Sequence, residues 1–379
     1  MLYNVRRKCV DFMNKYIWQN PEYPNFTYDK DIILPLLSKV RLQQGLLLGK
    51  MQCVGLDDTK KAVFGVLTED IIKSSEIEGQ ILNLEQVRSS VSKRLGLDIG
   101  GDVYVERDVQ GVVDMMLDAT QNFNKPVSEE RLCSWQASMF PTGKSGLSKI
   151  IVGKYRDDKN GAMQVVSGAI GHEKVHYEAP PAKNLKKEMN KLIKFINEEK
   201  NTDLVIKAGI VHLWFVEDGN GRIARALTDM LLARSEGTSN RYYSMSSQIK
   251  KVRNSYYDVL KITQKNSIDI TDWLKWFLEN MIFAINNSDK LLDEVMFRTE
   301  FWNNYKSVTF NERQIKVLKK LLDNFDGKLT TQKWVKICGC SHDSANRDII
   351  DLINKNILEK RGEARATHYV LVKFQKSLS

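Results

Sequence analysis

Apolar residues recur at helical spacing along most of this chain. Ile32, Ile33, Leu36 and Leu37, followed by Leu46, Leu47 and Leu48, open a stretch of helical periodicity from about residue 31 to 95. Within it, Thr68 stands as the N-cap of a helix through Ile71, Ile72 and Ile77, and Gly79 as its stop. Residues 107–122 and 183–198 read as amphipathic helices, the second through Leu185, Met189, Leu192, Ile193 and Ile196. Helical spacing resumes at 203–216, 222–235, 247–264 and 270–285, and 287–310 reads as a hinge. Two segments break the pattern. Residues 13–30, dense in aromatics and prolines, predict an irregular segment packed on a core. Between 150 and 181, the Asn160-Gly161 turn signal, Val165-Val166, and Val175-His176-Tyr177 ahead of Pro180-Pro181 predict a β-hairpin or extended loop.

Composition narrows the class. A chain of 379 residues with 42% hydrophobic and 27% charged content is an ordinary globular protein, long enough for two or three domains. No apolar run approaches the ~20 residues of a membrane span. Arg6, Arg7 and Lys8 are not followed by an apolar stretch, so no secretory leader is expected. Five scattered cysteines read as reduced thiols, which points to a cytoplasmic protein. The net charge of +10 is uneven: residues 301–379 carry 15 basic against 8 acidic residues. That excess in a small terminal unit points to nucleic acid, although a solvated basic surface has the same signature.

Candidate chemistry gathers at Glu217-Asp218-Gly219-Asn220-Gly221-Arg222-Ile223-Ala224-Arg225, directly before the apolar positions Leu227, Met230 and Leu231. Glycines at a loop-to-helix junction let backbone amides approach an anion, and the helix N-terminus adds its dipole. Arg222 and Arg225 lie one turn apart, and Asp218 is placed to hold a Mg²⁺ between two phosphates. A helix start with a glycine turn would explain part of this run, but not its acid and both arginines. A second stretch, Ser74-Ser75-Glu76-Ile77-Glu78-Gly79, sets Ser74 and Glu78 four apart on a helix just before its glycine stop.

Together the two stretches resemble the Fic family (filamentation induced by cAMP). Its signature is His-x-Phe-x-Asp/Glu-Gly-Asn-Gly-Arg-x-x-Arg, and its autoinhibited branch carries a Ser/Thr-x-x-x-Glu-Gly/Asn helix. YIWQNPEYPNF, SSEIEGQ, VRSSV and SKRLGLD are similar to the N-terminal domain of bacterial Fic proteins. MQVVSG with HYEAPPA resembles their flap, and RALTDMLLARSE with SQIKKVRNSYYDVL their helices after the motif. The likeness runs over about residues 13–285. It implies a helical bundle with a β-hairpin flap, and protein AMPylation: AMP moves from ATP to a hydroxyl of a target protein, or of the chain itself. On that resemblance Asp218 holds Mg²⁺ against the α- and β-phosphates. Gly219, Asn220, Gly221 and Arg222 cradle the phosphates, and Arg225 meets the γ-phosphate. Glu78, on the segment from Ser74 to Gly79, would pair with Arg225 and tilt ATP out of an attack-ready pose. The hairpin would align the target by strand addition. Tyr256 and Tyr257 would line the adenine side, or at helical spacing be core.

The chain departs from the signature where the catalytic histidine belongs, four residues before the acid. That position is Trp214, and His212 lies six residues before Asp218. Relatives of this subtype resemble HLWFV, a short piece containing His-Pro-Phe, and then EDGNGR. About five residues are thus missing between Val216 and Glu217 by comparison. Either the base is absent, or His212-Leu213-Trp214 substitutes for His-x-Phe. Five lost residues would rotate a helix by about 140° and shorten it by about 7.5 Å, so substitution requires a rebuilt loop.

Two further patterns are weak. His172-Glu173-Lys174-Val175-His176 matches the zinc-protease pattern but lacks a helical surround and a third ligand. Cys338-Gly339-Cys340 with His342 lacks a second ligand pair, so its glycine reads as a turn. Around it, Gln314–Leu321, Thr331–Ile337 and Ser341–Ile353 read as three helices. Ile357–Gly362 and Thr367–Leu371 follow as two short strands about a basic tip. This is the order of a winged helix-turn-helix, with Ser341, His342, Ser344, Asn346 and Arg347 toward a DNA groove, or else of a protein-docking module.

The reading is a mainly α protein: an N-terminal extension at 1–12, a helical domain with the inhibitory helix at 13–100, a Fic core at 101–286 and a winged helix at 305–375. It is a self-restrained adenylyltransferase using Mg²⁺ and ATP. The competing class is a non-catalytic nucleotide-binding regulator that holds DNA. No membrane partner is expected, and the oligomeric state is open between monomer and homodimer.

Overall fold

In a computed structural model, residues 16–97, 103–145, 148–159, 161–167, 174–216, 221–265, 267–322, 325, 327–363 and 366–372 are described. The chain divides into two compact units, residues 1–292 and 293–379.

In the first unit, a short 3-10 turn at Ile17–Gln19 precedes α1 (Lys30–Gln52), α2 (Leu56–Ile77), α3 (Leu84–Leu95), α4 (Arg107–Gln121) and α5 (Glu129–Met139). Side chains start several of these helices by accepting from free backbone amides: Asp29 for α1, Asn83 for α3 and Ser128 for α5. Two-residue strands β1 (Lys144–Ser145) and β2 (Ser148–Lys149) pair, then β3 (Gln164–Ser167) and β4 (Lys174–Glu178) form an antiparallel hairpin. There follow α6 (Ala182–Glu198), α7 (Leu204–Val216), α8 (Gly221–Glu236), α9 (Met245–Lys251), α10 (Arg253–Thr263) and α11 (Thr271–Asn304).

The centre of this unit is the α7–α8 pair. From Val205 to Phe215, α7 is buried on nearly every face, as its almost uninterrupted apolar sequence requires. Trp273 of α11 donates its indole N–H to the Gly209 carbonyl at 2.8 Å, and a Cβ at 209 would lie 2.9 Å from Leu274 and 3.1 Å from Phe277 of the same helix. The N-terminal segment is irregular and seated on the hairpin. Trp18 donates to the Glu178 carbonyl at 2.8 Å, and the Tyr16 ring meets Tyr177 edge-on.

In the second unit, α12 (Glu312–Leu322), α13 (Thr331–Cys338) and α14 (His342–Asn354) precede an antiparallel hairpin of β5 (Leu358–Arg361) and β6 (His368–Leu371). Its core gathers Phe301, Val317, Trp334, Ile349 and Leu352. Asp348 accepts from Arg313 at 2.7 and 3.0 Å and from Asn311 at 2.8 Å, tying α14 to the start of α12. Gly339 takes φ +62 at the end of α13, so Cys338-Gly339-Cys340 is a helix stop.

Four local expectations are corrected. The helix assigned to a Thr68 cap begins twelve residues earlier, at Leu56, and Thr68 is buried inside it. The apolar marks Val63, Phe64 and Val66 follow a polar first turn that masks the start. The segment read as a hinge at 287–310 is helical through Asn304. A helix at 129–139 was not anticipated, and 247–264 is two helices broken at Val252. The zinc-like pattern ends on a strand, with Lys174, Val175 and His176 in β4, while His172 and Glu173 lie outside the described residues. Among the described residues no group of three metal-ligating side chains occurs, and no helix is long and apolar enough to cross a membrane.

The α4–α5 crossing has no room to spare. A methyl group on Gly111 would lie 1.7 Å from the Ser138 carbonyl oxygen, which is backbone and cannot yield alone. Gly111→Ala is expected to lower unfolding stability by about 1–3 kcal/mol, as overpacking does. Gly65→Ala, inside α2 with open space around it, should raise stability by roughly 0.5–1 kcal/mol. Urea denaturation of both variants checks the pair.

Candidate functional site

The site is built where the end of α2 meets the beginning of α8. The sequence ends α2 with two reinforcing backbone bonds: the Gly79 N–H reaches the Glu76 carbonyl at 3.1 Å, and the Gln80 N–H reaches Ser75 at 3.0 Å. Closing both requires the left-handed φ of +80 that Gly79 adopts. The turn therefore points Glu78 and Gln80, on either side of the glycine, at α8.

Arg225 projects from the first turns of α8 and is 2% exposed. Its Nε donates to Ser74 Oγ at 2.8 Å, and Nη2 to the Ser74 carbonyl at 2.9 Å and to Glu78 Oε1 at 2.8 Å. The resulting ion pair is buried on the arginine side and partly open on the glutamate side. Gly221, at the head of α8, leaves the passage for it. A Cβ there would lie 2.2 Å from Glu78 Oε1 and 3.0 Å from Arg225 Nη1. Arg222, three residues before Arg225, donates from Nη1 to Gln80 Oε1 at 2.6 Å, and its guanidinium lies 4.9 Å over the Phe140 ring. Burial pulls the Arg222 pKa below its usual value, as does Arg225, while Glu78 and Asp108 oppose the shift.

The last carbonyls of α2 also meet side chains. Lys250 donates to Glu76, Arg253 and Tyr257 to Ile77, placing two cations at the negative end of the helix dipole. Farther back, Asp70 of α2 accepts from Ser244 Oγ and the Ser246 N–H, at 2.5 and 3.2 Å. Beside it, fully buried Arg241 pairs with Asp229 at 3.2 Å and Glu236 at 2.9 Å. Burial pushes the Asp70 carboxyl up, and pushes Asp229 well above the carboxylate range with help from the Asp70 charge. This frame fixes α2 against α8 and α9.

A cavity of about 1160 Å³ opens in front of the arginine turn, walled by Glu78, Gln80, Asp108, Phe140, Gly221 and Arg222 among others. Its wall carries the Arg222 guanidinium and the Glu78 carboxylate, behind which Arg225 is buried. Asp218, Gly219 and Asn220, the expected metal and cradle residues, lie outside the described residues. The structure brings Ser74, Glu78, Gly79, Gly221, Arg222 and Arg225 together.

It places His212 elsewhere. The ring is fully buried in α7, with Nδ1 2.9 Å from Thr228 Oγ1 and Nε2 2.8 Å from the Tyr256 hydroxyl. Thr228 donates its own proton to the Ala224 carbonyl, so it accepts from Nδ1–H. Nε2 is then the acceptor, and it is occupied by Tyr256, whose pKa is raised by burial so that its proton stays on. Trp273 and Phe277 close the remaining faces. Substitution of His212 for the missing base is therefore corrected: no free nitrogen faces the cavity. Tyr256 is core for the same reason, and Tyr257 sits at the α2 terminus; neither is among the residues that wall the cavity. Sequence reasoning missed Gln80, Lys250 and Arg253, whose roles arise only when α2 meets α8, α9 and α10.

The arrangement defines a helical domain with a loop-to-helix arginine site and a hairpin flap. Residues 126–232 match the family model described as Fic/DOC family, and residues 16–97 match a domain of unknown function, DUF4172. The fold is similar to that of a Fic family protein from Desulfovibrio desulfuricans G20, at 18% identity over 91% of this chain and 97% of that one, with a TM-score of 0.56. A Fic domain containing signaling protein from Bacteroides thetaiotaomicron VPI-5482 also matches, at 18% identity, covering 69% and 98%, TM-score 0.45. So does a segment of Fic-1 from C. elegans, at 16% identity, covering 70% and 74%, TM-score 0.46. No curated protein matches the chain. Over residues 126–232 the chain thus matches the Fic/DOC family model, and its mainly helical fold with a small antiparallel hairpin is similar to that of the Desulfovibrio desulfuricans Fic family protein.

Burial and Arg225 hold the His212 pKa down at about 3. In the unfolded chain it returns to roughly 6.5, so the unfolded state binds the extra proton as pH falls. Stability supplied by the neutral ring is present above pH 6.5 and is lost progressively between 6.5 and 3. From pH 7 to pH 5 the loss should be about 2 kcal/mol. His212→Asn should remove that pH-dependent increment, measured as the change in urea midpoint between the two pH values relative to the parent.

Proposed function

We propose that the chain binds ATP with Mg²⁺ at residues 218–222 and the head of α8, and that its chemistry is AMP transfer to a protein hydroxyl, restrained by Glu78. One observation carries the reading: Arg225, buried in the first turns of α8, is paired with the Glu78 carboxylate, which itself lines a large cavity beside Arg222. A guanidinium held in this way has a carboxylate standing where a phosphate would bind. On this reading Arg225 takes the γ-phosphate and Arg222 the α- and β-phosphates, while Asp218 and the phosphates hold Mg²⁺. The attacking hydroxyl oxygen bonds to the α-phosphorus, the bond from that phosphorus to the bridging oxygen of pyrophosphate breaks, and pyrophosphate leaves. The hydroxyl proton passes to water, since His212 is engaged in the core and does not receive it. General-base assistance is worth roughly 10²–10⁴-fold, and transfer should be slow by about that factor.

The same burial of His212 favours a second reading, a nucleotide-binding regulator without transfer. The order of α12, α13, α14 and the β5–β6 hairpin is that of a winged helix. His342, Asn346 and Arg347 on α14 and Lys360 and Arg361 on the hairpin are exposed or partly so, as groups that meet DNA must be.

ATP labelled at the α-phosphate separates the two. Protein-bound label is expected with Glu78→Gly and not with Glu78→Gly/Asp218→Ala. Inserting Thr-Ile-His-Pro-Phe between Val216 and Glu217 of the Glu78→Gly chain should raise the labelling rate by about 10²–10⁴-fold. ATP binding without label in every variant, the insertion included, supports the regulator. Absence of calorimetric heat with Mg²⁺-ATP in Glu78→Gly overturns both.

A further inference from the structure

The turn after α2 presents a second acceptor that the ion pair does not use. Gln80 is two residues beyond Glu78, and its backbone N–H is locked onto Ser75, so its side chain is delivered by the same turn. Its amide oxygen accepts from Arg222 Nη1 at 2.6 Å. Its amide nitrogen donates to Asp108 Oδ2 at 3.4 Å, which orients the oxygen toward the arginine rather than away. Phe140 backs the guanidinium from its face. Both arginines of the first turns of α8 are thus held by one three-residue corner of the chain: Arg225 by Glu78, Arg222 by Gln80.

We infer that Gln80 is a positioning residue for phosphate binding, withholding Arg222 from the α- and β-phosphates as Glu78 withholds Arg225 from the γ-phosphate. The inference rests on the nucleotide reading above. The two restraints differ in kind. A carboxylate neutralises its arginine, whereas an amide only hydrogen-bonds it, so a phosphate displaces Gln80 more readily than Glu78. They also act on different parts of the ligand. Arg222 meets groups that a nucleoside diphosphate and a triphosphate share, whereas Arg225 meets the γ-phosphate alone. Releasing Gln80 should therefore strengthen both ligands equally, and releasing Glu78 should favour the triphosphate.

Calorimetry of the full chain with Mg²⁺-ADP and Mg²⁺-ATP tests this in Gln80→Ala, Gln80→Glu and Glu78→Gly. Gln80→Ala is expected to tighten ADP and ATP by the same factor, about 3- to 10-fold. Gln80→Glu places a carboxylate on Arg222 and should weaken both by about 10-fold or more. Glu78→Gly should tighten ATP more than ADP. The opposite signs at position 80 are a readout that loss of fold would not produce. Unchanged affinities in Gln80→Ala, or shifts of the same sign in both Gln80 variants, while Glu78→Gly binds ATP, overturn the inference and leave the nucleotide reading standing. If the Glu78→Gly/Gln80→Ala double variant binds neither nucleotide, the nucleotide reading itself fails.

Discussion

A guanidinium taken out of water must be met by acceptors, and much of the first unit is arranged around that requirement. Arg225 is enclosed by the hydroxyl and carbonyl of Ser74 and the carboxylate of Glu78, all from the last turn of α2. α2 can supply them because its own end is fixed from the other side by Lys250, Arg253 and Tyr257, and its middle by Asp70 against Ser244 and Ser246. Arg241, with Asp229 and Glu236, repeats the requirement at the far end of α8. Removing one partner of such a pair typically costs about 3–5 kcal/mol, because the other charge stays buried. The same cost explains why the end of α2 and the head of α8 form one feature. A pocket able to hold Arg225 without water needs an anion, and among the described residues Glu78 pairs with it.

The histidine shows the opposite outcome of burial. In α7 both ring nitrogens are used, one donating to Thr228 and the other accepting from Tyr256, and desolvation keeps the ring neutral. Its hydrogen bonds join α7 to α8 and α10, so it serves the packing that sets the arginine turn in place. A general base needs a lone pair facing the reacting proton. Here the lone pair faces a tyrosine. On the proposed reading the phosphate-binding side of the chemistry and the proton-accepting side are separable, and His212 does not supply the second.

How much of this was legible in the sequence depended on distance along the chain. Helices with a clear apolar stripe, such as 107–121 and 182–198, were read nearly to the residue, whereas the hairpin was read only as hairpin or extended loop within 150–181, and both its strands lie beyond the Asn160-Gly161 turn signal. The early start of α2 was not, because Leu56–Lys61 is polar and its burial begins only at Val63. The continuation of α11 was hidden by the polar run Asn286-Asn287-Ser288-Asp289-Lys290. Within the site, Arg222 and Arg225 stood out by their spacing after the glycines, whereas Ser74 and Glu78 look like an ordinary helix end and were singled out by the resemblance. Gln80, Lys250 and Arg253 were not. An amide after a glycine and two cations on a helix look like solvated surface until the fold sets them 142 and 174–176 residues from their partners.

The glycine between the two acceptors is what makes that corner specific. A helix that ended without a left-handed residue would send residues 78 and 80 along diverging paths, and only one could reach α8. At φ +80 the chain turns back, closes two backbone bonds on Glu76 and Ser75, and brings both side chains to the same side. Gly221 performs the complementary task on α8, since any Cβ there would occupy the space of the Glu78 carboxylate. Two glycines from distant parts of the sequence, one chosen for its dihedral and the other for its missing side chain, therefore define a single gap. The gap admits a carboxylate on a guanidinium when the protein is alone. On the proposed reading it admits a phosphate on that guanidinium only after the turn lets go, so the geometry that ends α2 also sets the threshold for filling the site.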